Sequence, residues 1–201
     1  MPTQALTSQT REAVLEAAWQ LISDRGRVDV SLAEIAAAAG VTRQSVYLGF
    51  GNRAGLLVEM ARHADGRSRH ARRMRAIAES GADEPEAFLG FVHAWLLHLP
   101  EIYPVGILLS AAAVTDSDAA KVFHDRMIGS LHARYRALLA RIANAGYLAS
   151  GWDTERAADL CWSLTHIDAW RQLVVERGWT PAAFRKDREA LIRATVLRVG
   201  N

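Results

Sequence analysis

Apolar side chains recur along this chain every three to four residues, the period of an amphipathic helix, and no stretch alternates convincingly as a half-buried strand would. The pattern predicts an all-α protein. A first helix is expected over about residues 9–25, with Val14, Ala18, Leu21 and Ile22 in one stripe and Gly26 as its stop. The next begins at Ser31, because Ser31 and Glu34 have the spacing of a capping box. In that motif the hydroxyl accepts from the third backbone N–H and the carboxylate reaches back to the cap's own N–H. Leu32, Ile35 and Ala36 share one face of this helix, and Gly40 supplies the backbone freedom to end it in a tight turn. Thr42 then caps a short helix in which Val46 and Phe50, four apart, face the core. Arg43, Gln44, Ser45 and Tyr47 are left outward.

A fourth helix is expected over about residues 52–65, with Gly66 as a break. Asp83, Glu84 and Pro85 open another, with Phe88, Phe91, Val92, Trp95, Leu96 and Leu99 on one broad face, and Pro100 should stop it. A shorter helix over about 101–114 and a long one over 116–145 follow. Residues 146–153 are turn-rich and lead to two last helices, over 154–177 and 181–199. At 100° per residue the 154–177 segment carries Ala157, Leu160, Leu164, Ile167 and Val174 on one side and Trp162, His166, Trp170 and Leu173 on the other. A helix apolar on both sides needs two partners, its own core and either more of the monomer or a second copy of the chain.

The chemistry is concentrated on the short helix after Thr42. Arginine and glutamine present forked or paired groups to base edges, while threonine and tyrosine hydroxyls suit phosphate oxygens. A rod of seven or eight residues is about 10–12 Å long and fits a major groove about 12 Å wide. A plain helical hairpin inside an all-α core would use the same caps, but its exposed face would more often carry Glu and Lys.

These residues resemble the tetracycline-repressor (TetR) family of bacterial transcriptional regulators. The resemblance lies in the pattern S/T-x-x-E-I-A-x-x-A-G-V-S/T-x-x-x-x-Y-x-x-F-x-x-K/R-x-x-L, met by Ser31, Glu34, Ile35, Ala36, Ala39, Gly40, Val41, Thr42, Tyr47, Phe50, Arg53 and Leu56. It implies a helix-turn-helix DNA-binding domain over residues 1–52 and an effector-binding and dimerisation domain over 53–201. It implies that the helix from Thr42 enters the major groove of a palindromic operator, with Thr42, Tyr47 and Arg53 on phosphates. The candidate DNA contacts are thus Ser31, Thr42, Arg43, Gln44, Ser45, Tyr47 and Arg53. Two positions depart from the family pattern: Gln44 stands where a small residue is common, and Gly49 stands where histidine usually precedes the phenylalanine. The family's last two helices usually pair with their mates, so one of the two apolar sides of the 154–177 helix fits a homodimer interface, and the sequence leaves open which.

Charge agrees with this reading. Residues 1–80 hold eleven Arg against eight acids, whereas residues 81–201 hold thirteen Lys and Arg against fourteen acids, so the positive charge lies at the helix-turn-helix end. The densest basic cluster, Arg62, Arg67, Arg69, Arg72, Arg73 and Arg75, follows the motif and reads as a solvated junction or a source of long-range attraction. No stretch is expected to be long and apolar enough to span a bilayer, and the start lacks a signal peptide's regions, so a cytoplasmic location without membrane contact is expected.

Enzyme chemistry finds little purchase. The seven histidines have no metal-ligand spacing, no HExxH, GxSxG or Walker loop is present, and Cys161 sits alone in an apolar helix. No cofactor or metal is implied. Phe91, Trp95, His98, Tyr103, Met127, Leu131, His166 and Trp170 combine broad apolar surface with a few polar tips, the make-up of a small-molecule pocket and equally of a solid core. The resemblance implies a hydrophobic or aromatic effector entering among these helices and shifting the fourth. The alternative is an all-α ligand carrier or enzyme that keeps the shape of a helix-turn-helix without binding an operator.

Overall fold

The computed structural model describes residues 7–24, 29–67, 69–79 and 84–198. Every regular element among the described residues is a helix, with no strand and one isolated antiparallel bridge, Leu148 to Leu197. They fall into two compact units. Up to residue 67, and again over Glu101–Phe123, the chain builds the first; Ser68–Pro100 and the chain from His124 onward build the second.

The first unit opens with α1 (Ser8–Trp19), capped by Thr7, whose hydroxyl accepts from Thr10 N–H at 3.2 Å. A wider π-helical turn, Gln20–Asp24, extends it; the expected stop at Gly26 lies outside the described residues. Next come α2 (Leu32–Ala38), α3 (Arg43–Phe50) and α4 (Arg53–Arg67), which runs through Gly66 without the expected break. Val14, Ile22, Ile35, Val46, Leu56 and Met60 form the heart of one apolar core, joined by Val105, Leu109, Ala119 and Val122. Because Leu56, Leu57 and Met60 of α4 are buried in that core, the expected boundary after residue 52 falls inside this unit.

The second unit holds α5 (Arg69–Glu79), the first part of α6 (Glu84–Ala112), α8 (Ala133–Asn144), α9 (Thr154–Thr165), α10 (Ile167–Trp170) and α11 (Pro181–Val196). The first unit's α7 (Ser117–His124) runs in sequence directly through a π-helical stretch, Asp125–His132, into α8, where the pattern predicted one unbroken helix. Buried Phe88, Tyr135, Leu139, Ile142, Phe184 and Ile192 fill this unit. Glu84 meets Arg141 Nε at 2.7 Å, and His93 meets Glu189 at 2.7 Å, so α6 is pinned to both α8 and α11. Residue 199, the expected end of the last helix, lies outside the described residues; α11 ends at Val196.

Two helix ends differ from the sequence expectation in ways that matter. Pro100 does not stop its helix: α6 continues for 29 residues through Pro100 and Pro104. A proline four residues after another removes two successive donors along one face, which leaves the carbonyls of Leu96 and Pro100 without their helical partners. Burial on both sides of the prolines, of Val92, Leu96 and Leu99 before and Val105 and Leu109 after, holds the helix together. The uninterrupted helix is long and apolar enough to cross a membrane by length and composition, contrary to the expectation. Half of its most apolar window is buried inside the protein, as in a core helix.

The second difference lies in the 154–177 segment, which breaks at His166, whose backbone turns extended (φ −68°, ψ 156°) between α9 and α10. A last π-helical stretch, Arg171–Glu176, follows α10. One wheel at 100° per residue therefore does not describe it. Ala157 and Ile167 of one predicted stripe and His166 and Trp170 of the other are all buried, while Leu160, Leu164 and Trp162 are half-exposed.

Candidate nucleic-acid interface

Local capping builds the turn between α2 and α3. Glu34 N–H donates to Ser31 Oγ at 3.2 Å and Ser31 N–H to Glu34 Oε2 at 2.9 Å, the full capping box read from the sequence. Gly40, at φ +68°, closes α2 in the left-handed region that a side chain rarely adopts. Ser45 N–H then donates to Thr42 Oγ1 at 3.0 Å, and the two hydroxyls are bonded to each other at 2.8 Å. An eight-residue helix is too short to hold itself in water, so α3 depends on these caps and on its buried side. Val46 is fully buried and Phe50 nearly so.

The opposite side of α3 is open. Arg43 and Gln44 are exposed, and Tyr47 is 62% and Leu48 48% exposed. Thr42, Arg43, Gln44, Ser45 and Tyr47 thus come together on one short helix. Ser31 stands exposed at the start of α2, with its hydroxyl on Glu34 at 2.9 Å, and Arg53 is half-buried at the start of α4. The helix presents a forked cation, an amide and a phenol, the donor and acceptor set that base edges and phosphate oxygens accept.

The far end of α3 holds a residue that the sequence reading missed. Arg11 of α1 donates from Nη1 to the Gly49 carbonyl at 3.0 Å, pairs through Nη2 with Glu59 of α4 at 2.7 Å, and lays its guanidinium 4.7 Å from the centre of the Phe50 ring. Arg62 shares Glu59 at 2.6 Å. Burial raises the Glu59 carboxyl, but the hydrogen bonds and charges of Arg11 and Arg62 outweigh it and hold the group below the usual carboxylate range. Nothing in the local sequence marks Arg11; its partners are 38 and 48 residues away. Where α4 meets α3, Gly55 is obligatory, because a Cβ there would stand 2.1 Å from the Phe50 carbonyl oxygen. Of the basic cluster after the motif, Arg62 is engaged with Glu59, and Arg72, Arg73 and Arg75 are exposed on α5.

The eight predicted effector residues divide. Tyr103 belongs to the first unit; Phe91, Trp95, His98, Met127, Leu131, His166 and Trp170 are buried in the second. Several of them are committed to internal partners. Trp95 Nε1 donates to the Thr165 carbonyl at 2.9 Å, at the point where α9 stops. Thr165 Oγ1 donates to the Cys161 carbonyl at 2.8 Å, so the 2.9 Å contact with Tyr135 has the phenol as donor. Phe91 packs edge-on against Tyr135, Trp170 against Phe184, and His166 tilts over Trp162. Burial pushes the Cys161 thiol up to about 12, which leaves it a packing residue rather than a nucleophile. His166 Nδ1 accepts from Asp168 N–H at 3.3 Å and caps α10; burial lowers its imidazole against the pull of the Asp168 charge. An open depression of about 480 Å³ on α9, lined by Trp152, Arg156, Asp159, Leu160, Trp162 and Ser163, shares none of the predicted effector residues.

Comparison with known proteins agrees with this geometry. Residues 14–60 match the model of bacterial regulatory proteins of the tetR family. A Saccharomonospora viridis protein solved in complex with choline has the same fold, with a TM-score of 0.80 at 20% identity over 96% of this chain and 100% of the other. A TetR transcription regulator from Haloarcula marismortui superposes with a TM-score of 0.75 at 15% identity over 94% and 100%. The fatty acid degradation regulator FadR from Bacillus halodurans does so with 0.70 at 20% over 93% and 96%. No curated protein matches the chain.

Proposed function

We propose that this chain, a TetR-family regulator by its N-terminal domain and its fold, is a cytoplasmic repressor that holds an inverted-repeat operator as a homodimer and releases it when a small hydrophobic or aromatic effector binds. The observation that carries the reading is α3 itself: Val46 and Phe50 anchor it while Arg43 and Gln44, and Tyr47 one turn later, face solvent. In this reading Arg43 and Gln44 reach base edges and supply specificity, while Thr42, Tyr47 and Arg53, with the hydroxyls of Ser31 and Ser45, hold the backbone. A second copy covers the half-exposed Leu160 and Leu164 of α9 and sets the spacing of two recognition helices.

Release requires an effector that prefers the form unable to bind DNA. A preference of roughly 100-fold supplies about 2.7 kcal/mol of coupling. Phe91, Trp95, His98, Met127, Leu131, His166 and Trp170, all of the second unit, are the residues proposed to receive it, and the choline-bound neighbour supports a small-molecule role for this fold. The test is selection of bound duplexes from a random pool, followed by titration at several salt concentrations. A steep salt dependence on an inverted repeat is expected, and inserting five base pairs at its centre, about half a helical turn, should abolish tight binding. Enrichment of no sequence, or indifference to the insertion, would overturn the reading.

A further inference from the structure

We propose that Arg11 is a positioning residue for the recognition helix, clamping the C-terminal end of α3 to α1 and α4 so that its exposed side chains meet DNA in one orientation. The inference rests on the reading of α3 as the DNA-contacting helix. The last carbonyls of a helix lack intrahelical donors and carry the negative end of its dipole. In α3 the Tyr47 carbonyl takes Gly51 N–H at 2.7 Å and the Phe50 carbonyl takes Asn52 N–H at 2.9 Å, both from the following turn. The Gly49 carbonyl is served from another helix, by the Arg11 guanidinium at 3.0 Å. The same guanidinium is held by Glu59 at 2.7 Å and stacked 4.7 Å over Phe50, so a single planar group fixes α3 against both neighbours. Two donors and one face of the fork are used at once, which a lysine cannot reproduce. Arg11 also lies outside the residues 14–60 that match the family model.

Loss of the clamp lets α3 rock about its capped N-terminus, which spoils base contacts more than phosphate contacts, because directional bonds to base edges tolerate less misplacement than a charge near a backbone. The experiment compares wild type, Arg11→Gln, Arg11→Lys and Glu59→Gln on two duplexes, the one selected by the wild-type protein from a random pool and a scrambled duplex of the same composition. Binding is measured well below each variant's melting temperature. Arg11→Gln should bind the selected duplex about 10-fold more weakly, the equivalent of one lost base contact, with the scrambled duplex much less affected. Arg11→Lys should recover part of the loss. Should Arg11→Gln fail to fold, Glu59→Gln, which keeps the Arg11 charge, is expected to lower the same ratio by a smaller factor. Unchanged binding to the selected duplex, or an equal loss on both duplexes, refutes the clamp. A wild-type protein that does not distinguish the two duplexes refutes instead the DNA-binding reading beneath it.

Discussion

Replacing Trp95 with phenylalanine isolates the hydrogen bond that accompanies the break between α9 and α10. The indole is 6% exposed and its N–H lies 2.9 Å from the Thr165 carbonyl, at a residue with no exposed surface. Phenylalanine keeps a ring in place but removes that donor, and a buried carbonyl deprived of its partner costs about 1–3 kcal/mol. The smaller ring also leaves a void of roughly 40 Å³, which at about 24 cal/mol per Å³ adds about 1 kcal/mol. Trp95→Phe should therefore destabilise the fold by about 2–4 kcal/mol, and Trp95→Ala by at least the roughly 3–5 kcal/mol of an aromatic truncation. Urea unfolding followed by circular dichroism at one fixed protein concentration measures it, with an unchanged m-value as the sign that only stability has moved. A Trp95→Phe protein within about 0.5 kcal/mol of wild type would refute the structural role and leave Trp95 free for ligand contact alone. Tyr135→Phe, which removes the phenol from Thr165 Oγ1 but leaves Trp95 in place, is expected to cost about 1 kcal/mol.

On α3, Arg43→Ala or Gln44→Ala should each weaken binding to the selected operator by about 1–3 kcal/mol and relax preference at particular base pairs, whereas Tyr47→Phe should weaken all duplexes alike; competition binding against a panel of single-base variants separates the two patterns. Gly55→Ala places a methyl 2.1 Å from the Phe50 carbonyl oxygen, so melting should show a loss of about 1–3 kcal/mol together with weaker operator binding. Leu160→Glu, on the open side of α9, should yield monomers by light scattering while melting stays cooperative; an unchanged mass argues against that face as the interface. The lowered His166 imidazole means that the unfolded chain takes up the proton first. Its stabilising effect is then complete above the unfolded value of about 6.5 and shrinks as pH falls from there toward the folded value, so the gap in urea midpoint between wild type and His166→Asn should narrow from about pH 7.5 to about pH 5.5.

The helix-turn-helix was legible because what fixes it is local. Ser31 reads its partner Glu34 three residues on, Thr42 does the same with Ser45, and Gly40 needs only its own backbone, so each signal sits within one turn of what it controls. Arg11 was not legible for the opposite reason. It resembles any solvated arginine on the first turn of a helix, and only folding brings Gly49 and Glu59 to it.

The misread helix ends follow the same rule, in both directions. Pro100 is a strong local stop, yet the apolar side chains flanking it are buried on both sides, and their burial outweighs a penalty of about 3 kcal/mol for an interior proline. At His166 no local stop exists: no glycine or proline interrupts LeuThrHisIle, and the apolar period continues across it. The break is satisfied from outside, by an indole 70 residues earlier that takes the Thr165 carbonyl, and from inside by His166 itself, which accepts Asp168 N–H and starts the next helix. A helix can therefore be interrupted cheaply wherever a tertiary donor is waiting. The Thr165 carbonyl survives any substitution at that residue, so the pair that should couple is the one joined through side chains: Tyr135 and Thr165, phenol to hydroxyl at 2.9 Å beside the break, where double substitution should cost less than the sum of the single ones.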